Sequence, residues 1–420
     1  MSRLFIAALT TSALFSVPAF AVEKTDVLTT YANIAEAKYG DSLTAAQTLQ
    51  LAVANLIAAP SAEAMAATRT AYLAARVPYM QTEAYRFGNP IVDEWEGRVN
   101  AWPLDEGLID YVDASYGGPT DENDYAALNV VGTAKFTLSG KDIDASLITP
   151  ALLSDTLQEA DGVGANVATG YHAIEFLLWG QDLNGTGPGA GARSWTDYAM
   201  GAACTNANCD RRAEYLQAAT SLLVDDLAYM AGQWGADGPA RAAVLADADA
   251  GVGMMLTGMG SLSYGELAGQ RMKLGVLLND PEEEHDCFSD NTQNSHYMDG
   301  IGIQGTYLGS YTRLDGSVVT GASLSALVAE KDAAVDTQLR AELEASVAAL
   351  KAIVTAADGG MAYDMMLAQG NEAGAALVLD AVDKLVVQTR SIERAVAVLD
   401  LKTFTLEGSD SLDDPTAVFQ

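Results

Sequence analysis

The stretch of sequence that decides the fold is residues 167–179, which read Val-Ala-Thr-Gly-Tyr-His-Ala-Ile-Glu-Phe-Leu-Leu-Trp. It is apolar enough to form a buried helix, and its two potential metal ligands are His172 and Glu175. Positions i and i+3 lie on one face of an α-helix, so both side chains project to the same place. An imidazole and a carboxylate arranged in this way form half of a site for iron, zinc or manganese. The alternative is a His–Glu hydrogen bond inside a core, which is the commoner outcome for an isolated His-x-x-Glu.

The sequence on both sides of this stretch has a helical pattern. Residues 25–58 and 61–87 read as a pair of helices broken at Pro60, and Asp210 is placed to cap the start of a later helix. Strand-like alternation is scarce, so we predict an all-α protein. Three further stretches repeat mostly apolar residues every three or four positions, as one helix face requires: Leu216, Leu223, Leu227 and Met230; Leu339, Leu343, Val347, Leu350 and Val354; and Val382, Leu385, Thr389, Ile392, Val396 and Leu399.

Long loops rich in Gly and Asp separate these helices, at about residues 88–149, 180–208 and 280–317. Long loops in compact domains tend to be functional. A boundary near residues 235–239 would divide the chain into residues 22–235, which carry His172 and Glu175, and residues 236–420. We expect two helical bundles packed against each other.

The first 21 residues have the pattern of a secretory signal peptide. Arg3 gives a short positive region, an apolar run follows to Val17, and Ala19-Phe20-Ala21 offers a cleavage site. A retained membrane anchor is the alternative, but the run is shorter than the ~20 residues that a membrane span needs. No later segment is apolar for long enough, so we predict an exported protein without a membrane span, located in a bacterial periplasm.

The charge balance is strongly acidic. There are 56 acidic and 23 basic residues, and the formal net charge is −33. Such a surface repels nucleic-acid phosphates and anionic lipids, so neither is an expected partner. It would attract cations, but the acidity could equally serve only to keep an exported protein soluble. Charge alone therefore does not establish a metal site.

Three cysteines in an exported chain favour one disulfide and one remaining thiol. Cys204 and Cys209 flank the polar sequence Thr-Asn-Ala-Asn and are close enough to pair. Cys287 lies beside His285 and could be a buried thiol, a free thiol or a soft metal ligand, of which a buried thiol is the commonest outcome.

The string Gly-x-His-x-x-Glu at residues 170–175, followed by Phe-Leu-Leu-Trp-Gly, closely resembles the signature of the imelysin family. Residues 82–88 and 100–110 are similar to further segments of that family, and residues 265–272 and 280–292 resemble its iron-regulated protein A branch. The resemblance covers most of the chain. It implies two helical bundles with a functional site at their interface, expression tied to iron supply, and a role in iron acquisition at the Gram-negative envelope.

The same resemblance implies which residues form the site. His172 and Glu175 are the signature pair, and the other implied ligands are Glu83, Glu266 and His285. Arginines beside these carboxylates would keep them ionised and oriented, although a structural salt bridge is the alternative for each one. The implied supporting residues are Arg86, Arg98, Asp105 and Arg271.

The sequence departs from the family pattern at one position. The branch has a His after the Thr that corresponds to Thr292, and this chain has Gln293 there. His296 lies three positions farther on and is the one nearby histidine that could substitute. This departure puts a second metal site in doubt.

We therefore predict a periplasmic metal-binding protein rather than an enzyme, with iron as the metal and zinc or manganese as alternatives. The expected partners are the metal ion and an iron-uptake component of the envelope, and a location at the periphery of the outer membrane is one option. A metallopeptidase of the imelysin class remains open, although His172, His285 and His296 do not form the His-Glu-x-x-His motif. A haem-handling partner of an outer-membrane receptor remains open too, but the thirteen methionines show no pattern of axial ligands.

Overall fold

The computed structural model describes residues 21–419, so the predicted signal peptide, apart from Ala21, lies outside the described residues. Helices dominate the described chain, which confirms the all-α prediction. The α-helices are, in chain order, α1 Lys24–Ala58, α2 Ala62–Met80, α3 Pro90–Glu96, α4 Glu106–Ile109, α5 Pro150–Leu152, α6 Gly170–Trp179, α7 Cys209–Trp234, α8 Pro239–Leu245, α9 Ala248–Ser261, α10 Leu274–Leu278, α11 Thr292–Leu308, α12 Leu324–Lys331, α13 Ala333–Asp358, α14 Tyr363–Leu367, α15 Glu372–Val398 and α16 Asp410–Asp413.

Strands form two short antiparallel hairpins. Strand β1 (Lys135–Leu138) pairs with β2 (Lys141–Asp144), and β3 (Ser310–Thr312) pairs with β4 (Val318–Thr320). A π-helical segment, Leu262–Lys273, joins α9 directly to α10. Each hairpin lies in a long connection and contributes little to the core.

The helices pack in two groups. In the first, α1 lies along α2 and α7, and α6 packs on α7 and α2. In the second, α13 lies between α11 and α15, and α15 packs on the π-helical segment. Contacts of α11 with α2, and of α9 with α1, join the two groups. The boundary between residues 22–235 and 236–420 stays a prediction, because α8 and α9 follow it and still pack on α1.

Three local predictions need correction. The second helix was expected to run to residue 87, but α2 ends at Met80 and a separate 3-10 turn, Glu83–Tyr85, follows. Pro78 lies just before this end, and proline removes one helix-sustaining N–H. The predicted cap Asp210 is instead inside the first turn of α7, where its charge favours the helix dipole, and Asn208 occupies the cap position.

The third correction concerns residues 280–317, which were expected to form a loop. They contain α11, a helix of 17 residues. Its glycines lower the helix propensity of this stretch, because Gly disfavours a helix interior, and the helix was therefore not predicted. They are needed for packing: a Cβ at Gly302 would lie 2.7 Å from the carbonyl oxygen of Gln81. The residues 180–208 are irregular apart from short 3-10 turns, as expected.

Among the described residues, no single helix combines the length and apolarity needed to cross a bilayer. The helical stretches Cys209–Leu245 and Ala248–Leu278 meet the criterion only when taken together, and they are bent by 94° where they join.

Candidate metal centre

Helix α6 starts at a backbone position that requires glycine. Gly170 has a φ of +80°, and a Cβ there would lie 2.5 Å from the carbonyl oxygen of Val99. The same oxygen accepts a hydrogen bond of 2.7 Å from the N–H of Tyr171. All ten residues of α6 are buried, so this start aims His172 and Glu175 into the protein interior.

His172 and Glu175 form a contact inside the core. The Nδ1 of His172 lies 3.1 Å from Oε2 of Glu175, and both side chains are fully buried. Ser289 donates to Oε1 of Glu175 through its N–H at 3.0 Å and its hydroxyl at 2.6 Å, and the Tyr72 hydroxyl donates to Oε2 at 3.2 Å. The Nε2 of His172 has no hydrogen-bond partner among the described residues. A proton on Nδ1 would therefore leave the Nε2 lone pair free to bind a metal.

Asp286 completes a group of three potential ligands. One donor atom each from His172, Glu175 and Asp286 lies within 4.8 Å of the others, and all three residues are buried. Arg76 orients Asp286, with Nε 2.8 Å from Oδ1 and Nη2 3.2 Å from Oδ2. The Nη1 of Arg76 donates to Oδ1 of Asn100 at 2.6 Å. With both carboxyl groups ionised, they and the guanidinium of Arg76 carry one net negative charge, which suits a cation.

The predicted ligand His285 lies at the edge of this group. Its ring centre is 4.7 Å from that of His172, and its Nδ1 is 3.8 Å from Oδ2 of Asp286 and 3.5 Å from Nη2 of Arg76. The indole of Trp102 covers His172 with ring centres 5.1 Å apart. His285 and Trp102 also line a cleft of about 480 Å³, which brings solvent close to the centre.

Glu83 and Glu266, the other predicted ligands, belong to an arginine network. The Nη2 of Arg271 lies 2.8 Å from Oε2 of Glu83 and 2.8 Å from Oε1 of Glu266, and its Nη1 lies 3.2 Å from Oδ2 of Asp299. Arg86 is 3.6 Å from the same oxygen of Glu266. Arg271 and Arg86 therefore lie beside predicted carboxylates, and Glu83 and Glu266 pair with arginine and lie outside the group of three ligands.

Arg98 and Asp105 make their contacts elsewhere. Arg98 is half-exposed and donates to Oδ1 of Asp226 at 2.8 Å. Asp105 accepts hydrogen bonds from the Tyr116 hydroxyl at 3.1 Å and from the Asn123 amide. Neither contact involves one of the five predicted ligands.

His296, which could have replaced the missing family histidine, is buried on α11. Its ring packs edge-on against Tyr363 with centres 5.2 Å apart, and neither ring nitrogen has a hydrogen-bond partner among the described residues. It is not part of the group of three ligands.

Burial controls the protonation of the centre. It lowers the pKa of His172 to about 3, with a further contribution from the positive charge of Arg76. Burial also raises the pKa of Glu175 to about 7, against the hydrogen bonds from Ser289 that lower it. Both effects leave a neutral imidazole at neutral pH and a carboxyl group that can exchange its proton for a metal.

Four residues of the centre were not predicted from the sequence: Asp286, Arg76, Tyr72 and Ser289. Tyr72 and Arg76 are four residues apart on α2, so their shared face was a usable signal. Asp286 adjoins the predicted ligand His285, and its place in that segment was a weaker signal. Ser289 reaches Glu175 across 114 residues of sequence, and no local pattern reveals such a contact.

A disulfide joins Cys204 to Cys209, the first residue of α7, and Cys287 is a buried free thiol whose pKa is raised by burial.

The fold and the site together define the class of the protein: it is all-helical and has a buried His–Glu–Asp group in its interior. The imelysin family model matches residues 35–392, and the chain belongs to the imelysin family. A solved structure described as that of a candidate iron-regulated protein A precursor from Parabacteroides distasonis has a similar fold. The TM-score is 0.63 at 17% identity, covering 91% of this chain and 97% of that one. No curated protein matches the chain significantly.

Proposed function

We propose that the protein binds a metal ion, iron above all, through His172, Glu175 and Asp286, with His285 beside them. The observation that carries the proposal is that one donor atom each of His172, Glu175 and Asp286 lies within 4.8 Å of the others in the buried interior, while the Nε2 of His172 has no hydrogen-bond partner among the described residues. Buried polar groups are nearly always satisfied, so an unpartnered Nε2 on a histidine that belongs to this group of donors favours a missing ligand.

The residues around the donors prepare them for a cation. Ser289 and Tyr72 fix the orientation of Glu175, and Arg76 does the same for Asp286. Two oxygen ligands with one or two imidazoles suit iron or manganese, and zinc can use the same set. Arg76 weakens the attraction for a cation, which fits a protein that must release its metal again.

The wider role follows from the family and from the leader sequence. Membership of the imelysin family and a fold shared with an iron-regulated protein A precursor support an iron-related role at the bacterial envelope. The signal-peptide pattern of residues 1–21 supports a periplasmic location. We propose that the ion is cargo, received from or passed to another iron-uptake component of the envelope.

The test is metal analysis of the mature protein after it has been offered iron, manganese and zinc together. The wild type should retain about one ion per chain at the centre, and His172→Ala, Glu175→Gln and Asp286→Asn should each lose it. The matched control is Glu344→Gln, an exposed glutamate on α13 with the same change of charge.

Circular dichroism must show that each variant is folded. A wild type that retains no metal, or a folded His172→Ala variant that retains as much as the wild type, would refute the proposal. Chelator-sensitive cleavage of an unstructured protein would instead favour a peptidase, and a Soret band on titration would favour haem.

A further inference from the structure

An acidic cavity, separate from the cleft beside His285, lies against the segment that carries Asp286. Its volume is about 190 Å³, and the loop after α6, the segment 281–288 and α14 all contribute to its wall. No Lys or Arg occurs among the described residues that line it. Its acidic lining residues are Glu106, Asp182, Glu282, Glu284 and Asp364.

Two of these carboxyl groups are buried and have oxygens that lack a partner among the described residues. Glu284 is 1% exposed and Asp364 is 2% exposed. One oxygen of Glu284 and both oxygens of Asp364 have no hydrogen-bond partner among the described residues. The charged groups that act most strongly on Glu284 are the carboxylates of Asp364, Asp290 and Asp182. Buried carboxylates are normally paired with an opposite charge or with a metal, and no Lys or Arg among the described lining residues supplies one, so a bound cation is what would keep both groups ionised.

We propose that Glu284 and Asp364 hold a hydrated divalent cation in this cavity, at a site distinct from the His172 centre. Magnesium-like ions bind through one or two carboxylates and keep several of their waters. Since a water occupies about 30 Å³, the cavity has room for an ion with part of its hydration shell. Glu106, Asp182 and Glu282 can accept hydrogen bonds from those waters.

The chain itself separates the two sites. Phe288 lines the cavity and packs on Phe176 and Trp102, with ring centres 5.4 and 5.9 Å apart. Glu284 faces the acidic cavity, whereas Asp286 belongs to the group formed by His172, Glu175 and Asp286, which is the inner site. The carboxylates that line this cavity offer oxygen ligands, with the Cys287 thiol also in its wall, whereas the inner centre has an imidazole. The acidic site therefore favours hard ions, and its occupancy does not depend on the function proposed above.

The test uses Mn²⁺ as the probe, counted by electron paramagnetic resonance during titration of the full mature chain. The parent is the variant His172→Ala/Glu175→Gln, which removes the inner site. We expect this parent to bind one Mn²⁺ per chain. Adding Glu284→Gln/Asp364→Asn should weaken that binding at least tenfold. Adding Glu344→Gln/Asp383→Asn, two exposed acids with the same change of charge, should leave it unchanged.

The amide replacements keep the side-chain shapes and remove mutual repulsion, so we expect the variants to fold. If the double variant fails to fold, Asp364→Asn alone decides the question. The proposal is overturned if the parent binds no Mn²⁺, or if a folded Glu284→Gln/Asp364→Asn chain binds it as tightly as the parent. Failure of the proposed function would appear separately, because the His172→Ala variant would then retain as much metal as the wild type.

Discussion

Gly170 shows why the His-x-x-Glu signature of this chain begins with glycine. Gly170 has a φ of +80°, and the carbonyl oxygen of Val99 lies 2.5 Å from the place that a Cβ would occupy. We predict that Gly170→Ala lowers the free energy of unfolding by roughly 3 kcal/mol, because backbone strain and a close contact add together. Urea denaturation measures this, and metal retention should fall with the displacement of His172.

The matched control for this prediction is Gly117→Ala. Gly117 also has a positive φ, of +95°, but a Cβ there would meet no atom within 4 Å. It should cost only about 1 kcal/mol, the price of the left-handed backbone. Equal losses for the two variants would show that the contact with Val99 does not matter.

Lys38 is a buried amine whose charge the fold disfavours. Burial lowers its pKa from 10.5 to about 7, while its Nζ donates to the carbonyl oxygen of Gln81 at 2.7 Å. Above pH 7 the unfolded chain holds a proton that the folded chain has released, so the free energy of unfolding rises with pH. Between pH 7 and 9 we expect Lys38 to add about 2 kcal/mol.

Urea denaturation of the wild type and of Lys38→Met at both pH values isolates this contribution. The wild type should gain stability from pH 7 to 9 relative to the variant. If both chains respond to pH alike, the ammonium group keeps an ordinary pKa. The rings of Tyr85 and Tyr311, which lie 5.1 and 5.7 Å from Nζ, would then be stabilising the charge.

At the residue scale the sequence predicted what local spacing controls. His172 and Glu175 are three positions apart on one helix, and the structure places them in contact. The placement of Glu83 depends on Arg271, which is 188 positions away in the sequence. Spacing along one helix cannot reveal such a pairing, and a family motif indicates that a carboxylate is needed without showing which cation it meets.

At the scale of elements, predictability followed the apolar pattern. The repeats around Leu343 and Leu385 correspond to α13 and α15, because each helix buries one stripe against the other. Helix α11 escaped prediction because its buried face contains Gly300, Gly302 and polar side chains instead of a row of leucines. Close approach to neighbouring helices replaces the apolar stripe there, and that is a property of the tertiary structure.

The disulfide between Cys204 and Cys209 anchors the loop before α7. Thr205 and Asn206, which it encloses, donate to Oδ1 of Asp197 at 2.9 and 2.7 Å. Closing so short a loop lowers the conformational entropy of the unfolded chain, which raises its free energy by about 2 kcal/mol. We predict that Cys204→Ala/Cys209→Ala lowers the free energy of unfolding by about that amount in urea denaturation and leaves metal content unchanged.

Cys287→Ala provides a comparison for this variant, since that thiol is buried and free. Because Cys287→Ala keeps the Cys204–Cys209 disulfide, reduction should lower its stability as it lowers that of the wild type, in both cases by the amount that the double variant loses. If the double variant is as stable as the wild type, the hydrogen bonds to Asp197 are sufficient to order the loop.

At the scale of the whole molecule, the candidate centre depends on both helix groups. Tyr72 and Arg76 come from α2, and His172 and Glu175 come from α6. Asp286 and Ser289 come from a segment more than 100 residues later. Helix α6 alone does not contain the three ligands, so formation of the centre requires the segment before α11 to pack against α6.

This arrangement predicts that the metal stabilises the molecule as a whole. An ion that binds only the folded chain raises the free energy of unfolding by about 2.7 kcal/mol when its concentration is 100 times its Kd. We expect Fe²⁺, under anaerobic conditions, to raise the Tm of the wild type by a few degrees in a single transition. Asp286→Asn should show little of this increase.

Screening must be separated from binding, because the formal net charge of −33 makes the folded chain repel itself and any salt relieves that repulsion. The Tm of the wild type and that of Asp286→Asn should therefore also be measured in KCl of matched ionic strength. An increase in Tm that Fe²⁺ and KCl produce equally, or that wild type and Asp286→Asn share, would assign the stabilisation to screening. An increase specific to Fe²⁺ and to the wild type would mean that one ion bridges α6 and the segment before α11, because Asp286 is the ligand that this segment contributes.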